Sequence, residues 1–335
     1  MRGTIMDTDN TRLDTYDVVV VGGGPAGLSG ALMLGRARRS VLVIDGGAPR
    51  NAPAAGIHGF LTRDGISPAA FIDAGRAEVR AYGVDFRNGQ VTAVTREDDG
   101  FIVTIDGSAT VGARRLLVAT GLSDELPDIP GVRERWGRDV IHCPYCHGWE
   151  VRDRAIGILG TGAMAVHGAL LFRQWSADVI IFQHTAPTLT AEEAEQLAAR
   201  GITVVEGEVA SLEIVDDQLT GVRLHSGEVI PRQAVVVAPR FTANIDVLTA
   251  LGLGLEPDEM RMGDFIVGTH IAADRAGATG VPGVWVAGNV SDLVAQVITS
   301  AAAGAWTGAQ INADIIAEDT RHAVASHRAG ALAAR

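Results

Sequence analysis

The chain has 335 residues, of which 47% are hydrophobic and 41 are glycine, so it is long enough for two folded domains and too apolar to be disordered. The formal net charge is −12 and all 28 basic residues are arginines, which argues against a nucleic-acid partner and excludes Schiff-base chemistry on lysine. No apolar run reaches the roughly 20 residues of a membrane span, and residues 1–17 lack the apolar core of a signal peptide, so we expect a cytoplasmic protein with no membrane partner.

The first predicted unit is a strand, a glycine turn, a helix and a second strand. Residues 16–22 (YDVVVVG) are typical of a strand buried on both faces of a parallel sheet. The turn has G-x-G-x-x-G spacing at Gly22, Gly24 and Gly27. The second strand, residues 40–45, ends in Asp45. This pattern indicates a dinucleotide site, in which the helix N-terminus binds phosphates and the acid binds a ribose; a glycine-rich packing turn is the alternative.

The segment that follows continues the first domain. Residues 46–65, rich in Gly, Pro and Asn, predict a loop, and residues 68–83 predict a helix. Residues 90–121 predict a β-meander that returns to a buried strand, and this strand ends in the sequence Ala119, Thr120, Gly121. The Pro-containing residues 123–132 predict a linker.

The glycine pattern recurs in the second half of the chain. Residues 154–184 again predict strand, turn, helix and strand. The G-x-G-x-x-A positions of this turn are Gly160, Gly162 and Ala165. Further strands are predicted at residues 202–209, 219–224 and 233–239. Residues 283–311 predict a strand, a turn at Gly288 and Asn289 that offers polar groups to a cofactor, and a long helix, while the tail from residue 321 is predicted to be frayed or peripheral.

The two cysteines of the chain, Cys143 and Cys146, lie in the sequence VIHCPYCHGWEV. The C-x-x-C-H spacing suits c-type haem attachment, half of a zinc site or a redox-active disulfide. A zinc site needs about four ligands, and Cys143, Cys146 and His147 are too contiguous to supply a tetrahedron without distant partners. Covalent haem attachment normally accompanies export. The cysteine spacing alone does not decide between these three kinds of site.

Two nucleotide-binding units with a C-x-x-C just before the second resemble the low-molecular-weight thioredoxin reductase family over about residues 15–318. The resemblance implies an α/β fold of two Rossmann-like, three-layer ββα domains. The implied division is an N-terminal tail at 1–15, a discontinuous FAD domain at 16–123 and 252–320, an inserted NAD(P)-binding-like domain with the redox disulfide at 124–251, and a C-terminal tail at 321–335. It also implies FAD as cofactor and a homodimer.

The family's functional residues carry over onto matching positions of this chain. Cys146 would face the flavin, and Cys143 would be the interchange thiol that meets the substrate. The implied FAD contacts are Gly22, Gly24, Pro25, Ala26, Gly27, Asp45, Asn51, Ala119, Thr120, Gly121, Gly288, Asn289, Gln296 and Val297. The implied pyridine-nucleotide contacts are Gly160, Gly162 and Ala165.

Three departures from the family pattern bear on the reaction. Asn289 replaces an acid but can still bond a ribityl hydroxyl. His147 replaces the acid that follows the second cysteine, and we expect it to act as a base, with His142 as a second candidate. The strand ending at Phe182 is followed by neither the arginine that NADPH needs nor the acid that NADH needs, and only His184 is available to a phosphate, which leaves NADP(H) binding open.

With His147 after the second cysteine and no arginine after Phe182, the chain resembles a subgroup of this family. Members of that subgroup oxidise small-molecule dithiols to disulfides, as in gliotoxin- and holomycin-type biosynthesis, and oxygen reoxidises their flavin. The hypothesis is therefore a dithiol oxidase whose partner is a small-molecule dithiol. An NADPH-dependent reductase of thioredoxin or a thioredoxin-like protein is one alternative. A flavin-binding redox sensor that does not turn over is another.

Overall fold

The computed structural model describes residues 4–6, 12–97, 100–245, 255–262 and 265–333. The strands are β1 (Thr4–Met6), β2 (Arg12–Val21), β3 (Val41–Asp45), β4 (Asp85–Asn88), β5 (Val91–Glu97), β6 (Gly100–Ile105), β7 (Ala109–Val118), β8 (Leu122–Glu125), β9 (Val140–Ile141), β10 (Ile156–Leu159), β11 (Val179–Phe182), β12 (Thr203–Val205), β13 (Val209–Val215), β14 (Gln218–Leu224), β15 (Val229–Pro231), β16 (Ala234–Val236), β17 (Arg240–Ala243), β18 (Asp258–Met262), β19 (Phe265–His270) and β20 (Val284–Val286). The helices are α1 (Pro25–Arg36), α2 (Pro68–Arg80), α3 (Val132–Arg135), α4 (Pro144–His147), α5 (Met164–Phe172), α6 (Ala191–Ala199) and α7 (Val297–Ala333).

The first domain is built on a parallel sheet in the order β4-β3-β2-β7-β20. The β-branched run of β2 is buried on both faces, as the sequence predicts for a central parallel strand. Strand β7 extends beyond this sheet and pairs with β6, which pairs with β5, to form an antiparallel meander. Helices α1 and α7 cross in close contact at Gly304, where a Cβ would lie 1.9 Å from the Ala26 carbonyl oxygen.

The second domain has a fully parallel sheet in the order β12-β11-β10-β16-β9, with α5 and α6 beside it. The antiparallel meander β13-β14-β15 packs against the other face of this sheet. Each domain therefore has a sheet, a helical layer and a meander. The predicted fold class, two Rossmann-like three-layer domains of α/β type, is confirmed.

A four-stranded sheet in the order β18-β19-β17-β8 connects the two domains. In this sheet, which we call the connecting sheet, the outgoing strand β8 pairs antiparallel with the returning strand β17, with Leu122 opposite Ala243. Strand β17 also pairs in parallel with β19, with Phe241 opposite Gly268. The predicted linker at 123–132 thus begins as a paired strand. The predicted boundary between 251 and 252 lies outside the described residues.

Three other sequence predictions need correction. The tail at 1–15 contains β1 and the start of β2, since β2 begins at Arg12 and pairs with β1 as well as β7. The single strand predicted at 202–209 is two strands in different sheets, because Gly207, at φ +102°, lies between β12 and β13. The tail at 321–335 is helical through Ala333, which its alanine content favours. Among the described residues, no helix combines the length and apolarity that a bilayer crossing requires.

Candidate active site

The cysteine pair lies at the start of the short helix α4, directly after β9. Cys143 is the N-cap residue, and Pro144 occupies the first helical turn, where its missing N–H costs no hydrogen bond. The N–H groups of Cys146 and His147 donate to the Cys143 carbonyl, at 3.2 and 3.1 Å. This single turn brings the two sulfurs 2.6 Å apart, within reach of a disulfide bond.

The environment of the pair makes the two thiols unequal. A hydrogen bond from the Cys146 thiol lowers the pKa of Cys143 to about 6, and the N–H groups of Cys146 and Tyr145 and the amide of Gln296, 4.0 Å away, act in the same direction. The same hydrogen bond and burial raise the pKa of Cys146. These shifts make Cys143 the more acidic thiol of the reduced pair and Cys146 the less acidic one.

Two histidines flank the pair, and their surroundings differ. Both ring nitrogens of His147 are buried without a hydrogen-bond partner among the described residues, and burial lowers the pKa of its imidazole. His142 lies 3.1 Å from the Val237 carbonyl through Nδ1, which assigns the donor proton to that nitrogen, and its ring contacts Phe241 edge-on at 5.3 Å. Burial also lowers the pKa of His142. His147 is thus a neutral imidazole with an unused lone pair, which suits a base.

Arg50 joins the connecting sheet to the first domain beside the cysteines. No sequence motif predicts this role for Arg50. Its Nε and Nη2 donate to the carboxylate of Asp124 on β8, at 2.8 and 2.6 Å. Its guanidinium lies 5.0 Å from the ring centroid of Phe241 on β17 and 3.5 Å from Oδ1 of Asn289. Arg50 lies in a loop without a motif, so only the tertiary structure reveals this set of contacts.

The first glycine turn has the shape that a pyrophosphate needs. A Cβ on Gly22, at φ +102°, would lie 2.4 Å from the Ala119 carbonyl oxygen, and one on Gly27 would lie 1.9 Å from the Gly22 carbonyl oxygen. Gly24, by contrast, faces open space at the start of α1, with nothing within 4 Å of a Cβ. The carboxylate of Asp45 accepts the Gly23 N–H at 3.0 Å and pairs with Arg76. These residues fit the adenosine and pyrophosphate half of FAD.

The late turn lies over the same helix end. A Cβ on Gly288 would lie 2.8 Å from the Cβ of Ala26, so this turn meets the first residues of α1. The side-chain amide of Asn289 donates to the carbonyls of Asp292 and Ala295, both at 2.9 Å, and so shapes the approach to α7. Gln296 follows this approach and is the predicted cofactor residue that lies against Cys143. Its position links the flavin side of the site to the cysteine pair.

Four further predicted FAD residues have other contacts. Thr120 donates through Oγ1 to the Asn244 carbonyl at 2.7 Å, and the Asn244 N–H donates to the carbonyl of Gly121 at 3.0 Å. The carbonyl of Asn51 accepts the N–H of Ala54, and Val297 is the first residue of α7. The role of each residue toward FAD stays a prediction.

The second glycine turn is covered by an aromatic side chain. A Cβ on Gly162 would lie 2.6 Å from Cε2 of Phe265, so this aromatic ring fills the position from which a pyrophosphate would approach. Ala165 is buried, and a Cβ on Gly160 would lie 2.6 Å from the Phe182 carbonyl oxygen. All three positions of the turn are therefore closely packed, and their predicted role toward a pyridine nucleotide stays a prediction.

The side chains after β11, where specificity for NADH or NADPH is expected, already form hydrogen bonds within the protein. The Gln183 amide donates to the carbonyls of Ala186 and Pro187, at 3.0 and 2.6 Å. Nδ1 of His184 accepts the Val209 N–H at 3.1 Å, which fixes the ring that was the candidate for a phosphate. The described residues contain no group of three or more His, Cys, Asp or Glu side chains placed to hold a metal ion.

Comparison with known proteins agrees with this geometry. The family model described as pyridine nucleotide-disulphide oxidoreductase matches residues 16–308. Thioredoxin reductase sirT from Leptosphaeria maculans is 30% identical over 321 residues, covering 91% of this chain and 95% of the relative. The crystal structure of HlmI is 46% identical with a TM-score of 0.85, covering 97% of this chain and 98% of HlmI.

A further solved structure, an oxidoreductase from Agrobacterium tumefaciens, is 34% identical with a TM-score of 0.83, covering 90% of this chain and 99% of that one. The predicted resemblance is therefore confirmed. Members of this group bind FAD, and the residues around Gly24 fit that cofactor. The chain belongs to the pyridine nucleotide-disulphide oxidoreductase family and is a thioredoxin reductase-like, FAD-binding disulfide oxidoreductase.

Proposed function

We propose that this protein oxidises a small-molecule dithiol to a disulfide and that oxygen, rather than NADP⁺, receives the electrons. The observation that carries the proposal is the Phe265 ring against Gly162, because it fills the pyrophosphate position of the second Rossmann-like domain. A reductase needs a hydride donor bound near this domain, whereas an oxidase with a substrate dithiol does not. The homodimer implied by the resemblance and the cytoplasmic location expected from the sequence stay predictions.

The first step is exchange between the substrate and the oxidised cysteine pair. His147 accepts the proton of one substrate thiol, and the resulting thiolate attacks Sγ of Cys143. A substrate–Cys143 bond forms, the Cys143–Cys146 bond breaks, and Cys146 leaves with the electron pair and takes the proton held by His147. Burial of the Cys146 sulfur favours its protonated form.

The second step releases the product. The remaining substrate thiol gives its proton to His147 and attacks the substrate sulfur of the mixed disulfide, which closes the cyclic disulfide and expels Cys143 as a thiolate. A thiol with a pKa of about 6 is a good leaving group. Stabilising this thiolate also stabilises the reduced pair, which makes the disulfide a stronger oxidant. Both effects favour exchange in the direction of dithiol oxidation.

When bound, FAD would accept the two electrons of the reduced cysteine pair and pass them to oxygen, which would be reduced to hydrogen peroxide. The chain's own residues hold the geometry for this transfer. Gln296 lies against Cys143, and Arg50 connects Asn289 to both strands that join the domains. These contacts fix the cysteine pair relative to the cofactor side.

The test is anaerobic mixing of the FAD-loaded enzyme with dithiothreitol or with NADPH, followed by flavin absorbance. We expect the dithiol to bleach the flavin, NADPH to leave it oxidised, and added oxygen to yield one hydrogen peroxide per dithiol consumed. Cys143→Ser is the control and should bind FAD but not be bleached by dithiol. Rapid bleaching by NADPH would instead support the thioredoxin reductase activity in the name of sirT. Dithiol reduction without turnover in air would support the sensor.

The role of Phe265 is tested separately by equilibrium titration with NADPH and NADH. We expect wild-type protein to bind neither nucleotide at millimolar concentration and Phe265→Ala to bind at least one of them, because removal of the ring reopens the approach to Gly162. Equal behaviour of the two proteins would show that Phe265 is not what closes the cradle.

A further inference from the structure

A positive charge, that of Arg50, lies between the late turn that fits FAD and the segment that carries the cysteines. The Arg50 guanidinium is 3.5 Å from Oδ1 of Asn289 in that turn. On its other side it lies 5.0 Å from the ring centroid of Phe241, and the Phe241 ring meets the ring of His142 at 5.3 Å. His142 directly precedes Cys143. Contacts of Arg50 therefore lead to both redox sites.

This charge is fixed in position and poorly screened. Nε and Nη2 of Arg50 form a fork on the carboxylate of Asp124, at 2.8 and 2.6 Å. The Arg50 side chain is 29% exposed and that of Asp124 is 8% exposed. Partly buried charges act on their neighbours with less screening than charges on the surface. A guanidinium stays ionised throughout the neutral range, so Arg50 carries its charge in every state of the cysteine pair.

Cys146 is the thiol on which this charge acts. The hydrogen bond with Cys143, burial and the charge of Cys143 raise the pKa of Cys146, whereas the charge of Arg50 lowers it. The resemblance implies that Cys146 faces the flavin, and sulfur donates electrons as a thiolate rather than as a thiol. The raised pKa of Cys146 thus opposes electron transfer from the pair, and the charge of Arg50 favours it.

We propose that Arg50 is a positioning residue for electron transfer, because its guanidinium stabilises the Cys146 thiolate and lets the negative charge of the reduced pair move from Cys143 to Cys146. The move is a proton transfer within the pair: the Cys146 thiol gives its proton to the Cys143 thiolate, and nothing else enters or leaves. Formation of the disulfide then releases two electrons to the flavin and the one remaining proton. An oxidase and a reductase both need this exchange with FAD, so failure of the inference leaves the proposed function untouched.

A purely structural role for the pair of Arg50 and Asp124 makes a different prediction. Arg50→Gln and Asp124→Asn break the same ion pair, so a structural role moves any property of Cys146 in the same direction in both variants. A charge acting on Cys146 moves it in opposite directions, because one variant removes the positive charge and the other removes the negative charge that offsets it. Arg50→Lys keeps the charge without the fork and should resemble wild type.

The test is the titration of Cys146 in FAD-loaded protein that also carries Cys143→Ser, followed through the carbon-13 shift of its single labelled cysteine. We expect Arg50→Gln to raise the midpoint by about one pH unit and Asp124→Asn to lower it by about as much. Arg240→Gln is the matched control, because Arg240 pairs with Glu125 on the same two strands and both side chains are exposed, so the midpoint should not move. Midpoints that move together in the two charge variants, or do not move, would overturn the proposal.

A kinetic measurement tests the consequence in the chain with both cysteines. Tris(carboxyethyl)phosphine reduces the disulfide whatever the natural substrate is, and flavin bleaching is followed without oxygen at phosphine concentrations that no longer limit the rate. We expect Arg50→Gln to slow bleaching about tenfold and Arg50→Lys to slow it less than about twofold, in proportion to the thiolate fraction of Cys146. Equal rates in wild type and Arg50→Gln would refute the role. If Arg50→Gln does not fold, Arg50→Lys and Asp124→Asn still decide the sign of the effect.

Discussion

The strongest test of the cysteine pair is removal of the hydrogen bond that Cys146 donates. In the reduced protein this bond is the largest cause of the fall in the pKa of Cys143, from 9.0 to about 6. A thiol with a pKa of 6 is about nine-tenths thiolate at pH 7, whereas an unperturbed thiol with a pKa near 8.5 is only about 3% thiolate. Cys146→Ala deletes the donor but leaves the N–H of residue 146 in place. Burial of the sulfur, which raises the pKa, remains, and we therefore expect the pKa of Cys143 to rise well above 6.

The assay is the rate of alkylation of Cys143 by iodoacetamide as a function of pH, with the modified residue identified by mass spectrometry. The midpoint of the profile must be compared, because a more basic thiolate is intrinsically more nucleophilic and partly offsets its lower abundance at any single pH. Gln296→Leu is the control and should raise the midpoint less, since Gln296 is the weakest of the contributing hydrogen bonds. A midpoint that stays near 6 in Cys146→Ala would refute the role given to the Cys146 hydrogen bond.

Three further predictions concern the base, the connecting contacts and the cofactor. His147→Ala should slow reduction of the enzyme by dithiol about 100-fold. It should also remove the fall in this rate at acid pH. In wild type that fall lies below pH 6.5, because burial lowers the pKa of the imidazole and the ring is neutral, and able to accept a proton, above that pH. Arg50→Met leaves the Asp124 side chain, which is 8% exposed, without its ion-pair partner and should lower the free energy of urea unfolding by about 2 kcal/mol. Arg240→Met is the control: the acidic partner of Arg240 is exposed, so the free energy of unfolding should change by less than about 0.5 kcal/mol. Gly24→Ala should fold with unchanged circular dichroism but purify with reduced FAD content, because its Cβ meets no protein atom and projects into the pyrophosphate position.

The buried elements could be predicted from the sequence because their cause is local. Strand β2 ends in the apolar run Val18–Val21, β11 is apolar throughout, and the glycines of both turns have fixed spacing. The connecting sheet was missed because β8 and β17 are four-residue segments with polar residues, and they are strands only through pairing with each other across more than 100 positions. Local patterns carry no information about such pairing.

The same limit applies to the candidate site. The cysteine pair, His147 and the first glycine turn follow from motifs, but Arg50 acquires its role only when β8 and β17 bring Asp124 and Phe241 to it. The obstruction of Gly162 is also non-local, since Phe265 lies about a hundred residues further along the chain. A sequence can therefore show that a Rossmann turn exists without showing that its cradle is open.

The positions of the two redox groups follow from one topological rule, that parallel sheets bind ligands at the carboxyl ends of their strands. In the first sheet, β2, β7 and β20 end at the turns that fit FAD; in the second, Cys143 lies two residues after the end of β9 and Gly160 directly follows β10. The second edge therefore has two functional halves. The connecting sheet covers the glycine half through Phe265, while the cysteine half meets Gln296 from the first domain. In this arrangement the glycine half is covered while the cysteine half contacts the first domain, which supports the proposal that the cysteines receive their electrons from a dithiol.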